Sequence, residues 1–330
     1  MTTDANRRGI VELGSINMDL VVRSPKMPTP GETVLGGRFF TSLGGKGANQ
    51  AVAAARASQK AVTFIAAVGR DGFGREALAM LRNEPRLDTK FVRTIDNAAT
   101  GVALIMVDPR GENMICVASG ANAQLSPADL DAIPDEVWRS ANVFVACLES
   151  PLATVEHGLR LARKHGLLTI LNPAPAVAGA GRRELLELVD VLTPNEHEAA
   201  AIARELAGGE TDGAVNLAAI GDQLRAAGDG RVIVTLGAEG CLIIDDHAAT
   251  RIPARLATVV DTTAAGDAFN GALAVALTEG QSLIDAVRWA TVAAAISVSR
   301  AGAIPSIATR EEIERLLLDG SPSPLGSWPG

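Results

Sequence analysis

The stretch 259–277, VVDTTAAGDAFNGALAVAL, places a carboxylate at the start of a helix, directly after a turn of small residues. The apolar residues Phe269, Leu273 and Leu277 recur every four positions and predict the helix, so Asp267 falls in its first turn. Backbone amides and the helix dipole stabilise an anion at such a terminus, and a carboxylate beside it can accept a proton from a hydroxyl. These are the two halves of a phosphoryl-transfer site. The alternative is an Asp that only favours a helix start.

A second glycine-rich stretch, GGKGANQAVAAAR at 44–56, opens an Ala-rich helix. It is not a P-loop, because Lys46 is followed by glycine rather than by Ser or Thr. Its glycines allow the backbone to approach a polyol closely, although any glycine-rich helix start would look the same. Upstream, GIVELGS predicts a buried first strand without a G-x-G-x-x-G turn, which disfavours an NAD-dependent oxidoreductase. Asn17 and Asp19 follow this strand and could be turn formers only.

The composition limits the class of protein. The chain has 330 residues, 47% of them hydrophobic, which is enough for a sizeable core in one large or two ordinary domains. A formal net charge of −8 without a long basic run argues against nucleic acid or an anionic membrane as the main partner. We expect a cytoplasmic protein, because no apolar stretch reaches the ~20 residues of a membrane span and the N-terminus lacks a signal-peptide core. We also expect three buried free thiols: Cys116, Cys147 and Cys241.

Strand-like and helix-like segments alternate through most of the chain. This pattern predicts an α/β fold with a doubly wound, mostly parallel sheet flanked by helices. Two segments, at about 20–43 and 98–120, break the rhythm with Pro, Gly and short strands, and we expect them to form a small β-sheet lid. One α/β domain would then occupy 9–318, with disordered tails at 1–8 and 319–330. Ligands of such sheets gather at the carboxyl ends of the strands, where three polar residues fall: Glu149, Asn172 and Asn195.

Both glycine-rich stretches resemble signatures of the ribokinase-like, or PfkB, family of carbohydrate kinases. The second signature has the pattern D-T-x-A-A-G-D-x-F-x-G. Further segments resemble the family in the same order along the chain, among them LGSINMDL, PTPGETV, LNPAPA, TPNEHEA, VTLGAEG and RAGAIPS. The resemblance runs from about residue 11 to about residue 318 and favours a catalytic Asp267 over a mere helix start. It implies a sugar kinase that uses MgATP.

The resemblance also implies roles for individual residues. Asp267 would act as the general base that deprotonates the primary hydroxyl of D-ribose during conversion to the 5-phosphate. The backbone amides of Ala264, Ala265 and Gly266 would stabilise the charge that develops on the γ-phosphoryl group. The sugar would be bound by Asn17, Asp19, Gly45, Lys46, Asn49, Glu149 and Asp267. The nucleotide would be bound by Asn195, Thr235, Gly237, Gly240 and Gly266. A monovalent cation, K⁺, would be bound, mostly by main-chain oxygens, at Asp261, Thr263, Ser297, Arg300, Gly302 and Ser306.

Glu198 would organise Mg²⁺ through water in this family, since magnesium keeps several of its waters. Asn195 and Glu198 also fit a helix cap with its capping-box glutamate, and both interpretations can hold together. The lid implies a homodimer, because such sheets often supply the dimer interface in the family and Phe39 and Phe40 are exposed apolar candidates.

The substrate remains open at this stage. Related kinases act on deoxyribose, fructose or nucleosides, but a nucleoside would need room for a base and an aromatic platform, and the chain has 3% aromatic residues and no Tyr. Met18, between Asn17 and Asp19, would alter sugar preference if it faced inward. A non-catalytic sugar sensor is a further alternative, although it would be expected to have lost Asp267 or the glycine turn.

Overall fold

The computed structural model describes residues 9–208, 217–228, 230–245 and 249–318, and both predicted tails lie outside these ranges. The strands are β1 (Gly9–Leu13), β2 (Asn17–Arg23), β3 (Arg38–Gly44), β4 (Val62–Gly69), β5 (Leu87–Ile95), β6 (Gly101–Val107), β7 (Asn113–Ala118), β8 (Ala141–Cys147), β9 (Leu168–Asn172), β10 (Val191–Leu192), β11 (Arg231–Thr235), β12 (Cys241–Ile244) and β13 (Ala249–Ile252). The helices are α1 (Lys46–Ala57), α2 (Gly72–Arg82), α3 (Pro127–Asp131), α4 (Asp135–Ser140), α5 (Leu152–Lys164), α6 (Arg183–Leu186), α7 (Glu196–Leu206), α8 (Leu217–Gly228), α9 (Ala265–Thr278), α10 (Leu283–Val298) and α11 (Arg310–Leu318).

Within the described residues the larger sheet has nine strands in the order β13-β12-β11-β10-β9-β8-β1-β4-β5. β1 lies between β4 and β8, and the sheet is parallel from β5 to β11. β12 and β13 continue it as antiparallel strands. The chain therefore winds outward from β1 in both directions. This arrangement confirms the predicted doubly wound sheet and places the switch point, where ligands bind in such folds, at the carboxyl end of β1.

Helices cover both faces of this sheet, and strand alternation divides the core between them. Ile10 belongs to the cluster that contains residues of α1, α9 and α10. Its neighbours Val11 and Leu13 belong to the opposite cluster, with residues of α5, α7 and α8. Because side chains of a strand alternate between faces, β1 serves both clusters at once. The central strand is therefore buried on both sides.

The helix α1 lies in backbone contact with two neighbours. A Cβ on Gly271 of α9 would lie only 2.5 Å from the backbone oxygen of Gln50, so α9 and α1 touch without intervening side chains. A Cβ on Gly14, just after β1, would overlap the Cα of Gly47. These close approaches bring the amino-terminal ends of both helices to the end of the central strand.

A second, four-stranded sheet has the order β3-β2-β6-β7. In its register Asp19 of β2 lies between Ser42 of β3 and Ala103 of β6. The prediction of a small separate sheet is thus confirmed, and its first residues, beginning at Asn17, extend directly from the end of β1. The proposed domain and lid limits stay a prediction.

The expectation of three buried thiols is wrong for one of them. Cys147 and Cys241 are buried, but Cys116 is exposed. Cys116 lies on β7, which forms an edge of the small sheet and is exposed along its whole length. An apolar strand pattern cannot distinguish a core strand from the edge of a thin sheet. Among the described helices, none combines the length and apolar character that crossing a bilayer requires.

Candidate active site

Asp267 lies where the amino-terminal ends of α1 and α9 meet the carboxyl end of β1, and only 6% of it is exposed. Asn49 Nδ2 donates to Asp267 Oδ2 at 2.9 Å, and Gln50 Nε2 donates to Oδ1 at 3.0 Å. Two amide groups from α1 therefore hold both carboxylate oxygens in one orientation. Each oxygen retains a lone pair that can accept the proton of a hydroxyl. The geometry suits a general base.

The turn before α9 exposes a helix terminus to a ligand. Ala264 caps the helix with a left-handed φ of 61°, a strained conformation for a residue with a Cβ. Because the helix begins at Ala265, the amides of Gly266 and Asp267 have no intrahelical acceptor. The Ala265 amide donates to Thr262 O at 3.3 Å and is shared with the preceding turn. An anion can bind at this terminus.

Asn17 and Asp19 lie on one face of β2, and both are buried. Asn122, which the sequence analysis missed, donates from Nδ2 to Asn17 Oδ1 at 2.9 Å and fixes that amide. Asp19 packs against Gly44, where a Cβ would overlap the carboxylate. Met18 is fully buried in the main core and, by strand alternation, points to the other face. It therefore does not shape the Asn17 and Asp19 side of the site.

Glu149, two residues after the end of β8, reaches back to the start of α1. Its Oε2 accepts the Lys46 amide at 2.9 Å and also accepts the hydroxyl of Ser15, another residue that the sequence analysis missed. Gly45 adopts a φ of 90°, and a Cβ there would lie 2.8 Å from Asn17 N. The backbone can approach this closely only because the residue is glycine.

Several carboxyl groups are concentrated in this cleft around the ammonium group of Lys46. Burial raises the pKa of Asp19 to about 7, and the charges of Glu149 and Asp267 act in the same direction. Burial alone would lower the pKa of Lys46, but the charges of Asp267 and Glu149 outweigh it and raise that pKa above its usual value. Burial likewise raises the pKa of Glu198. The pocket is thus rich in hydrogen-bond acceptors, as a polyol site requires.

Two adjoining cavities open beside the α9 terminus. The smaller, of about 200 Å³, is polar and includes Lys46, Glu198 and Asp267. The larger, of about 530 Å³, is mainly apolar and includes Leu256 and Phe269. Both are lined by Asn195, Thr235 and Gly266, and the larger also by Gly237 and Gly240. An apolar cavity that continues into a polar one at a helix terminus fits a nucleoside with its phosphates.

Asn195 and Glu198 form the capping box that the spacing predicts. Asn195 Oδ1 accepts the Glu198 amide, and Glu198 Oε2 accepts the Asn195 amide, both at 2.9 Å. Glu198 lines the polar cavity with its second carboxylate oxygen outside the box. A hard oxygen donor beside the phosphate region suits Mg²⁺ held through water. Capping and metal organisation are therefore compatible.

The predicted cation residues come together from two distant segments. The amides of Val260 and Asp261 donate to Val298 O at 2.8 and 3.2 Å, and Gly302 N donates to Asp261 Oδ2 at 2.9 Å. Thr263 binds Asp261 Oδ1 through its amide and hydroxyl, and the hydroxyls of Ser297 and Ser306 lie 2.8 Å apart. The Arg300 guanidinium pairs with Glu312. The cluster is rich in oxygen at a helix C-terminus, which fits a cation.

A buried chain of hydrogen bonds joins the base to the anion-binding turn. Gln50 Nε2 also donates to Asn172 Oδ1 at 3.0 Å, and Asn172 Nδ2 donates to Thr193 O at 2.9 Å. Thr193 Oγ1 donates to Asn270 Oδ1 at 2.6 Å, and Asn270 Nδ2 donates to Gly266 O at 2.8 Å. Only Asn172 was noticed in the sequence. The signal available for Gln50 and Asn270 was a polar side chain within an otherwise small and apolar helix.

Comparison with known proteins agrees with this site. Residues 7–310 match the family described as pfkB family carbohydrate kinase. A ribokinase of Haemophilus influenzae is 40% identical over 307 residues, which cover 93% of this chain and 97% of that protein.

Solved structures agree as well. A ribokinase of Thermotoga maritima superposes with a TM-score of 0.84 at 35% identity and covers 94% of this chain and 99% of its own. An Arabidopsis thaliana ribokinase complexed with ribose and ATP superposes with a TM-score of 0.82 at 31% identity, with the same coverage. Given the match over most of its length, this chain belongs to the pfkB family of carbohydrate kinases.

Proposed function

We propose that this chain transfers the γ-phosphoryl group of ATP to O5 of D-ribose and releases D-ribose 5-phosphate and ADP. The observation that carries the proposal is the placement of Asp267 between an acceptor-rich pocket and an anion-binding helix terminus. The Haemophilus relative is a ribokinase, and the Arabidopsis structure contains ribose and ATP. A setting in the cytoplasm, where MgATP is available, is part of the proposal.

In this mechanism Asp267 accepts the proton of the 5-hydroxyl as the oxygen attacks the γ-phosphorus. Its two amide donors, from Asn49 and Gln50, hold the carboxylate towards the reacting hydroxyl. The amides at the α9 terminus, with that of Gly266 foremost, bind the charge that develops on the transferred group. Mg²⁺, when bound with ATP, neutralises charge on the phosphate oxygens. Lys46, whose ammonium group faces the same carboxylates, adds a positive charge.

The remaining ring hydroxyls bind the pocket acceptors. Asn17, Asp19 and Glu149 supply amide and carboxylate oxygens, and the Gly45 backbone allows the sugar to lie close to α1. A site of this kind discriminates strongly against a sugar that lacks one hydroxyl, because a buried acceptor is then left without a donor. K⁺ at the 261–263 and 297–306 cluster would order the adjacent anion-binding turn.

We expect ADP release to be fastest with D-ribose when D-ribose, 2-deoxyribose, fructose and adenosine are compared with MgATP. The kcat/KM for D-ribose should exceed the others by about tenfold or more, because a hydroxyl group that is missing or displaced relative to D-ribose leaves a buried acceptor unpaired. K⁺ should raise kcat over Na⁺. A better rate with another of these substrates would contradict the choice of sugar, and equal rates in both salts would contradict only the cation site.

Replacement of the base should abolish most of the activity. Asp267→Asn is expected to lower kcat by ~10²-fold or more, because a lost general base costs at least that factor. The measurement is steady-state ADP release, with the unfolding midpoint recorded in parallel. Asp96→Asn, at an exposed carboxylate paired with Arg70, is the matched control and should turn over like the parent. Near-normal turnover of folded Asp267→Asn would overturn the mechanism.

The rate should also depend on pH through Asp19. Since the pKa of Asp19 is raised to about 7, this carboxyl binds a proton as the pH falls below that value and loses acceptor capacity for the sugar. We expect kcat/KM for ribose to fall by about tenfold per pH unit below pH 7, as a single essential ionisation would produce. In Asp19→Asn, kcat/KM should be about 10- to 100-fold lower, and this acidic limb should disappear. A limb that persists in Asp19→Asn would assign it to another group.

We also propose that two copies associate through the small sheet. Its outer strand β7 is exposed throughout, and large apolar side chains of the sheet are open to solvent: Phe39, Phe40, Leu104, Met114, Ile115 and Val117. An exposed apolar edge is a ready surface for a symmetric partner with the same edge. A second copy of this chain would cover it.

Sedimentation should therefore give a species of about twice 34.0 kDa at micromolar concentration. The double substitution Met114→Asp and Ile115→Asp, which places charge on both faces of the edge strand, should shift it to the single-chain mass. Met80→Asp, at an exposed apolar residue of α2, is the control and should leave the mass unchanged. A parent protein that sediments only at 34.0 kDa would refute the dimer.

A further inference from the structure

The central strand β1 contains a carboxyl group that the mechanism above does not use. Glu12 is fully buried, and neither of its carboxylate oxygens has a hydrogen-bond partner among the described residues. Its strand neighbours are otherwise apolar, among them Val11 and Leu13. An ionised carboxylate buried without a partner would lower the stability of the folded protein by several kcal/mol, because it loses its hydration. The side chain therefore has to be neutral, with a proton that needs an acceptor.

The packing of α1 on β1 indicates where that acceptor lies. Gly14 and Gly47 touch through their backbones at the carboxyl end of β1, and α1 ends five residues before Val62, which pairs with Ile10 at the start of β1, so α1 runs antiparallel to β1. Side chains two residues apart on a strand share a face, so Glu12 points to the same side as Gly14. Residues three apart on a helix also share a face, which places Gln50 above the strand one turn beyond Gly47. Glu12 and Gln50 therefore face each other next to the glycine contact, on the side towards the start of β1.

The hydrogen bonds of Gln50 leave one position open. Its side chain is fully buried, and both N–H groups are used, one towards Asn172 Oδ1 and one towards Asp267 Oδ1. The reversed amide would set its oxygen against these two acceptors, so the orientation is fixed. Gln50 Oε1 has no donor among the described residues. A carboxylic acid opposite it would supply the missing donor.

We propose that Glu12 is a positioning residue, which donates its carboxyl proton to Gln50 Oε1 and so orients Asp267 through the Gln50 amide. Burial, with a further contribution from the charge of Asp267, raises the pKa of Glu12 well above its usual value. Among the described residues, Asp267 on α9 and the Cys147 thiol on β8 are the titratable groups whose charges couple to Glu12, and burial raises the pKa of that thiol too. Neither stabilises an ionised Glu12. The catalytic part of this inference rests on the proposed role of Asp267 as base.

The protonation state has a test that needs no turnover. Infrared difference spectra of the parent minus Glu12→Gln, recorded about two pH units above the pKa of Asp19 so that this carboxyl is ionised, should contain the C=O stretching band of a protonated carboxyl group. If the difference spectrum lacks this band, Glu12 is ionised and the inference fails. This result is independent of whether ribose is the substrate.

Turnover separates positioning from a structural role. Glu12→Gln can still donate to Gln50 Oε1, so its kcat should stay within about threefold of the parent and its kcat–pH profile should superpose on that of the parent. Glu12→Leu removes the donor and should lower kcat by about tenfold with little change in the KM for ATP, and it should still fold because an apolar side chain of similar size replaces a buried carboxyl group. Ile10→Val, on the same face of β1, trims packing without touching the amide and should leave kcat unchanged. Parent-like kcat in Glu12→Leu, or a displaced pH profile in Glu12→Gln, would overturn the positioning role.

Discussion

The site depends on the backbone contact between α1 and α9 above the end of the central strand. Gly271 lacks a side chain at this contact, and Gly47 lacks one where α1 meets the turn after β1, so α1 lies close enough to α9 for Asn49 and Gln50 to reach Asp267. A methyl group at either contact would separate the elements that the hydrogen bonds join. These glycines therefore affect the proposed catalysis, because they set the distance between Asp267 and the two amide groups that orient it.

This contact also buries charged and polar side chains, among them Asn49, Gln50 and Asp267, in the protein interior. Amide donors hold both oxygens of Asp267 in a site where this residue is almost fully buried, and burial likewise raises the pKa of Asp19 and of Glu198. Acceptors for sugar hydroxyls and a terminus for phosphate thus lie within one cleft, with Lys46 as a counter-charge. The sugar hydroxyls have to supply the hydrogen-bond donors for these acceptors, and the nucleotide phosphates supply the negative charge that binds at the helix terminus. That requirement explains why one arrangement can select a polyol and align it for transfer.

The buried polar chain from Gln50 through Asn172 and Thr193 to Asn270 links the two halves of the reaction. It begins on the carboxylate that accepts the proton and ends on the carbonyl of Gly266, in the turn that binds the anion. A displacement of either half would leave buried donors or acceptors unpaired, which is costly in the interior. The base and the anion site are therefore held in register by the same bonds.

The sequence by itself determined the parts of the protein whose signal is local. The small-residue turn before Asp267, the glycines at 44–47, the alternation of strands and helices and the capping box at Asn195 were all readable, because each depends on residues close together in the chain. The tertiary structure decided the rest. Gln50 and Asp267 are separated by 217 positions in the chain. Whether the side chains of Met18 and Cys116 are buried or exposed depends on the position of their strands in the small sheet. In the sequence, Glu12 is only a single polar residue within an apolar strand. Hydrogen-bond partners of this kind are chosen by the packing of distant backbones, and no local pattern of residues records that packing.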